Sequence, residues 1–291
     1  IIFKYEIHMN LNNNKFKPGL YCVATPIGNM GDISYRAIKI LQESELILCE
    51  DTRVTKKILQ KFEINKSTIS NHKFNEKKNL ERVLELLRNK KIVSLVSDAG
   101  TPAISDPGRI LVNECVKNGV DVFPIPGASA ISSAISVSGF SDNFYFCGFI
   151  PEKQNQIKKL FKNLSTLEGS IVFFISPNKL DKRIENLKEF FVNRDILICR
   201  EITKYHEEYI RTSVENLSNV NFSRKGEITV VISEIKKEKL SFKELEESDK
   251  KKINKLIKKM SIKDIVKKIS EDREIPKKLI YSYCLELKNE N

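Results

Sequence analysis

The chain has 291 residues, 41% of them hydrophobic and 30% charged, and a formal net charge of +12. This composition excludes a wholly disordered chain, the length allows two compact domains and a small appendage, and no apolar run reaches the roughly 18 residues of a membrane-spanning helix. The positive charge points to a polyanionic partner, and its distribution is uneven: residues 236–291 hold 17 Lys and Arg against 11 Asp and Glu, half of the net charge.

In chain order, residues 1–17 are polar and Asn-rich, lack the apolar core of a signal peptide, and are expected to be a leader outside the fold. From residue 20 onward, short apolar runs alternate with amphipathic stretches. Residues 20–25, 46–49, 92–96 and 120–124 predict buried strands. Residues 34–45, 77–89 and 110–117 predict helices between them. This alternation predicts a mostly parallel sheet covered on both faces. Turn-rich segments at 138–143 and 149–153 mark a junction. Beyond it, strands are expected at 144–147, 170–175, 195–200 and 227–233, with helices at 156–167 and 180–191.

The composition shifts after Ser233. Residues 236–252 read as a charged linker or a solvated helix. Three short helical patterns follow: Ile253, Leu256, Ile257 and Met260; then Ser261 as N-cap with Asp264 three residues on and apolar Ile262, Ile265, Val266 and Ile269; then, after Pro276, Leu279, Ile280 and Tyr283. Short helices in a basic context resemble a helix-turn-helix; an appendage that only packs or dimerises stays equally open. The expected organisation is a leader (1–17), an N-terminal α/β domain (18–138), a C-terminal α/β domain (139–235) and a basic linker with a helical extension (236–291).

The six cysteines stand far apart with no Cys-x-x-Cys pair, so no metal site is expected; buried free thiols in a reducing cytoplasm are.

Four loops stand at expected strand ends, where open α/β sheets bind ligands. The first is Ala24-Thr-Pro-Ile-Gly-Asn-Met-Gly-Asp32, in which Gly28 and Gly31 permit close approach. The second is Cys49-Glu-Asp-Thr-Arg53, where Asp51 or Thr52 could equally serve as a helix cap. The third, Ser97-Asp-Ala-Gly-Thr-Pro-Ala-Ile-Ser-Asp-Pro-Gly108, is stiffened by two Gly and two Pro and is polar enough to carry a site. The fourth, Pro124-Ile-Pro-Gly-Ala-Ser-Ala130, runs a strand end into a small-residue helix.

Together these loops resemble the tetrapyrrole methylase superfamily. Thr25-Pro-Ile-Gly-Asn29, Glu50-Asp-Thr-Arg53, Ser97-Asp-Ala-Gly-Thr-Pro102, Gly148-Phe-Ile-Pro151, Arg200-Glu-Ile-Thr-Lys-Tyr-His-Glu-Glu208 and Lys225-Gly-Glu227 are similar, more narrowly, to its ribosomal RNA branch, the cytidine 2′-O-methyltransferases of the small subunit. The similarity spans roughly residues 19–233. The chain departs from the branch at Asn71-His-Lys-Phe-Asn-Glu76 and at Ser176-Pro-Asn-Lys179, where an aromatic-His pair and an Ala-Pro-His-Arg run are usual.

The resemblance implies an α/β fold of two α/β domains with a cofactor cleft between them and a small C-terminal helical extension. It implies S-adenosylmethionine as cofactor, held near Pro26, Gly28, Asp98, Ala99, Gly100, Thr101, Ile104, Ser129 and Ala130 of the first domain and Ile175, Ile228 and Thr229 of the second. It implies 16S rRNA in the 30S subunit as partner, a homodimer, a cytoplasmic location, and neither metal nor membrane. Methyl transfer to a ribose hydroxyl needs a base or a cation that stabilises the alkoxide. Asp51, Glu201 and Lys204 are the candidates for that role, and Arg53, His72, Arg200 and His206 for RNA contact. A salt-bridged cluster shaping the cleft is the competing reading of these residues. Two other functions stay open: a precorrin or uroporphyrinogen methyltransferase with the same fold, and a non-catalytic RNA-binding assembly factor.

Overall fold

The structure, a computed structural model, describes residues 16–72, 75–236, 245–257, 259–272 and 275–289. The expected leader lies outside the described residues save for Phe16 and Lys17. Residues 1–234 and 235–291 form two compact units.

The first unit contains two sheets. The first sheet is built from β1 (Gly19–Val23), α1 (Tyr35–Glu43), β2 (Leu46–Cys49), α2 (Thr52–Lys61), β3 (Thr68–Ser70), α3 (Glu76–Arg88), β4 (Ile92–Leu95), α4 (Arg109–Lys117), β5 (Val122–Ile125) and α5 (Ala130–Ser138). Its strand order is β3-β2-β4-β1-β5, every pair parallel. Helices on both faces explain why β2 is apolar at all four positions, Leu-Ile-Leu-Cys, and wholly buried. One face packs Leu20, Leu48 and Leu95 against Val83, Leu84 and Leu111; the other packs Tyr21, Val23 and Ile47 against Ile40 and Leu41. Ser34 caps α1 through Ala37 N, and Asp51 caps α2 through Arg53 N.

The second sheet follows, with β6 (Phe144–Phe149), α6 (Gln154–Ser165), β7 (Ser170–Ile175), α7 (Pro177–Asp181), α8 (Ile184–Phe190), β8 (Asp195–Arg200), β9 (Glu208–Ser213) and β10 (Ile228–Ile232). Its order is β6-β7-β10-β8-β9, parallel only between β6 and β7. Phe161, Phe173 and Phe191 anchor its core with Ile157, Ile196 and Val230.

Several expectations required correction. The single helix expected over 180–191 is two, α7 and α8. Pro177 starts the first early, at a position where its missing N–H costs nothing, and Arg183 at the break turns its guanidinium back onto Gln154 Oε1 and the Glu152 carbonyl. The strand expected over 120–124 begins two residues later, because Val120 N still closes the end of α4 on Cys115 O. Pro124 is tolerated inside β5 because β5 is an edge strand. The edge strands β3 and β9 were not expected: Thr-Ile-Ser and Glu-Tyr-Ile-Arg-Thr-Ser carry no apolar run for sequence reading to detect.

The second unit is helical: α9 (Glu247–Leu256), α10 (Ile262–Asp272) and α11 (Lys277–Asn289). Ile253, Ile265, Ile269, Ile275, Ile280 and Cys284 form its core. Ser261 and Asp264 cap α10 reciprocally: Asp264 N donates to Ser261 Oγ at 3.2 Å, and the Ser261 hydroxyl donates back to Asp264 Oδ2 at 2.6 Å. Of residues 236–252, expected as a charged linker or a solvated helix, Glu247 onward is helix. Lys277 and Lys278 are exposed in the first turn of α11, with exposed Tyr281 one turn on. Among the described residues, no helix is long and apolar enough to cross a membrane.

Candidate functional site

The loops after β1 and β4, neighbouring strands, are tied by a two-residue bridge: Thr25 N donates to Gly100 O at 2.9 Å, and Gly100 N to Thr25 O at 3.0 Å. The Thr25 hydroxyl, buried, adds a bond to Ser97 O. Ala103 and Ser105, neither a glycine, adopt left-handed backbone with φ 65° and 64° in the loop after β4. A segment so constrained is a preorganised wall.

Against this wall stands the segment after β8. Glu201 and Thr203 are also left-handed, φ 51° and 65°, and hydrogen bonds hold them so. Glu201 N donates to Glu227 O, and Glu227 N donates to Glu201 Oε1 at 2.9 Å. Thr203 N donates to Glu207 Oε1 at 2.7 Å. The segment docks on the first lobe where Asn29 N donates to Thr203 Oγ1 at 3.1 Å. At Gly28 a Cβ would collide with Lys204 Cγ, so only glycine lets the lysine stem pass.

Between the two walls is a cavity of about 340 Å³, within the range of small-molecule sites. Asp98, Ala99, Gly100, Thr101, Ile104, Ser129 and Ala130 line it from the first sheet's loops, and Ile175, Ile228 and Thr229 from the second. Pro26 and Gly28 are not in the wall; Gly28 acts as the spacer just described. Glu201 and Lys204 line the cavity, and Asp51 does not.

Arg53, His72, Arg200 and His206 lie off the wall. Arg53 is exposed and paired with Asp51 at 2.6 Å. His72 is half-buried near Glu50, whose charge it influences. His206 stacks edge-on with Tyr205 at 5.0 Å. Arg200 is an internal brace rather than a surface cation: its guanidinium is buried and donates to Glu208 Oε2 at 3.0 Å and to Lys225 O.

Sequence reading missed Glu50, Asp106, Phe149, Phe174 and Glu227, all in the wall. Glu50, Asp106, Phe149 and Glu227 stood inside the motifs, but nothing in a linear motif tells which side chains face the same space.

Electrostatics divides the wall. Burial raises the pKa values of Glu50 and Asp98; the Asp98 charge adds to the rise at Glu50, while at Asp98 the hydrogen bond from Asp51 N opposes the rise and the Asp51 charge adds to it. Asp106 is pushed up to about 6, by burial first and then by Glu50, against a lowering hydrogen bond from Ser97. On the other side, partial burial pushes Glu201 up, but bonds from Glu227 N and Lys204 outweigh it and the net shift is down. Burial likewise lowers Lys204, yet its bonds to Glu227 Oε2 at 2.9 Å and Glu201 Oε1 at 3.0 Å win, and it stays an ammonium. Asp51 is held down at about 2 by the Arg53 hydrogen bond. The Cys199 thiol, also in the wall, is pushed up to about 12 by burial, so it remains protonated. Among the described residues, no group of three or more His, Cys, Asp and Glu could hold a metal ion.

The family profile for Tetrapyrrole (Corrin/Porphyrin) Methylases matches residues 19–218. The chain is 45% identical over 218 residues to ribosomal RNA small subunit methyltransferase I of Thermotoga maritima, covering 74% of this chain and 97% of that protein. It is 36% identical over 275 residues to the protein of the same name from Halalkalibacterium halodurans, covering 91% and 94%. Among solved structures, diphthine synthase aligns with TM-score 0.57 at 17% identity over 74% of this chain and 89% of that one. Uroporphyrin-III C-methyl transferase from Thermus thermophilus, complexed with S-adenyl homocysteine, aligns with TM-score 0.54 at 14% identity over 75% and 98%. At these identities the structural likeness speaks for the fold.

Proposed function

The chain belongs to the tetrapyrrole methylase family and, within it, to the family of the ribosomal RNA small subunit methyltransferase I proteins; on that premise we propose that it is an S-adenosylmethionine-dependent methyltransferase whose target is the ribose 2′-hydroxyl of a cytidine in 16S rRNA. The observation that carries this reading is the convergence of ten of the twelve residues expected around the cofactor, from four separate segments, on one cavity.

The residues present fit such a cofactor. Ala99, Gly100 and Ala130 give a wall of small side chains that brings main chain close to a ligand, and Ile175 and Ile228 give apolar surface. Glu50, Asp98 and Asp106 make the first-lobe wall electronegative, which suits a cationic sulfonium. When bound, S-adenosylmethionine supplies a methyl group already activated toward displacement.

What the chain adds is alignment and charge. Lys204 presents a fixed ammonium to the cavity and stabilises negative charge developing on the ribose oxygen. Glu201 positions that ammonium; its lowered pKa makes it a weak base. Asp51, held down at about 2 and outside the wall, is a weak base too. Asp106, its pKa pushed up to about 6, is a wall carboxylate matched to accept the hydroxyl proton. The exposed lysines of α10 and α11, among them Lys277 and Lys278, supply charge for an RNA partner. The family resemblance supports the 30S subunit as the substrate form and a homodimer as the working state.

The direct test is mapping of ribose methylation in small-subunit RNA with and without the protein. A methyl group at one cytidine that depends on the protein is expected; transfer to a precorrin and not to RNA would reject the proposal.

Asp106 makes the site sensitive to pH. Its pKa is raised from 3.8 to about 6, so the folded chain holds this proton more tightly than the unfolded one, and its contribution to stability falls as pH rises through that window. Binding of a cation runs the other way, because it favours ionised Asp106. Affinity for S-adenosylmethionine, measured by calorimetry, is therefore expected to rise from pH 5 to 7, and Asp106→Asn to flatten the rise. An identical profile in the variant would remove Asp106 from the account.

A further inference from the structure

Phe149 lines the cavity, yet it is 65% exposed. An aromatic ring left largely in water at the edge of a cavity calls for a reason, and the backbone shows that its placement is built. Along β6, Phe144, Tyr145 and Phe146 pair in step with Ser170, Ile171 and Val172 of β7, but Phe149, not Gly148, pairs with Phe174. One extra residue has entered β6. Because side chains alternate along a strand, this bulge moves Phe149 from the face of Tyr145 to the face of Phe146. Phe174 then contacts both rings, Phe146 at 5.0 Å and Phe149 at 5.2 Å.

The bulge depends on Gly148, whose φ of +73° is one that residues with a side chain rarely adopt. A Cβ there would also lie 3.2 Å from Ser105 Oγ of the opposite lobe. Next to Ser105, Ile104 lines the cavity and is 47% exposed. The ring is thus backed by Phe174 on the cavity wall, with its free surface open to solvent.

We propose that Phe149 is the platform on which a nucleobase of the RNA substrate stacks, at or next to the nucleotide whose ribose is methylated. This rests on the reading of the chain as an RNA methyltransferase. RNA helices display their 2′-hydroxyls in the minor groove, but a donor held inside a cavity is reached most directly by a nucleotide drawn out of the stack, and unstacked bases are held by aromatic side chains. A flat π surface suits that task, and it tolerates any base.

The test uses the full-length protein with Phe149→Ala, Phe149→Leu and Phe149→Tyr. Steady-state methyl transfer to small ribosomal subunits gives KM and kcat, and calorimetry with S-adenosylhomocysteine reads the cofactor side. Phe149→Ala is expected to raise KM for RNA by roughly 5- to 100-fold, the range for loss of one base–aromatic stack, with S-adenosylhomocysteine affinity shifted far less than that. Phe149→Tyr restores KM, and Phe149→Leu, apolar without a π face, does not. An unchanged KM in Phe149→Ala, rescue by Leu as complete as by Tyr, or a loss confined to S-adenosylhomocysteine affinity would each overturn the platform. If the unmodified protein methylates no ribosomal RNA, the functional reading fails and the platform with it; if it does and Phe149→Ala is silent, only the platform fails.

Discussion

Lys204→Met is expected to lower kcat for methyl transfer on the order of 100-fold or more, the effect typical of removing one preorganised donor from a developing oxyanion, while leaving affinity for S-adenosylhomocysteine near that of the unmodified protein. Methionine keeps the length of the stem and removes the ammonium with its bonds to Glu201 and Glu227. The ammonium sits between Glu201 and Glu227 at 3.0 and 2.9 Å, so its position is fixed before substrate arrives. Gly28→Ala tests the same point without touching the charge, because the added methyl takes the space of the lysine stem. It should reduce kcat in the same direction, since a displaced ammonium no longer faces the reacting oxygen. Single-turnover methyl transfer separates these effects from product release. Full kcat in Lys204→Met would show that the lysine only neutralises its two carboxylates, the competing structural reading of this cluster.

Phe161→Ala is expected to destabilise the first unit by about 3–5 kcal/mol. Phe161 is fully buried and lies edge-on to Phe191 at 5.3 Å and near Phe173 and Phe190, each at 6.4 Å. Truncation removes the ring from three aromatic partners at once and leaves a cavity that strands β7 and β8 cannot fill by side-chain movement alone. Chemical denaturation followed by circular dichroism reads the loss as a shifted midpoint. A change below about 1 kcal/mol, the scale of a conservative core swap, would mean that the core collapses around the gap. The variant also separates stability from chemistry: where it remains folded, the cavity walls are intact and kcat should hold.

The apolar runs and the strand-end loops were legible from sequence because each is a local property. Leu-Ile-Leu-Cys is apolar at every position and so reads as a strand made for burial on both faces, and Ser97–Gly108, with its glycines and prolines, cannot continue a strand or helix. The edge strands β3 and β9 were not legible, since a strand paired on one side only needs no apolar run. Within the site, a motif could suggest Asp98 or Ser129 through the resemblance it carries, but could not separate Asp51, turned onto Arg53 outside the cavity, from its neighbour Glu50 inside it.

The alternation of strands and helices, the stiff loops at strand ends and the basic helical extension are written in neighbouring residues, through periodicity, turn chemistry and charge. That Gly28 gives room to Lys204, that Asp106 joins Glu50 and Asp98 in one acidic wall, and that a bulge turns Phe149 to the face it occupies emerge with the folded chain alone. Those outcomes depend on which groups, far apart in the chain, come to share a small volume with little water, and on the burial and mutual repulsion that follow from it.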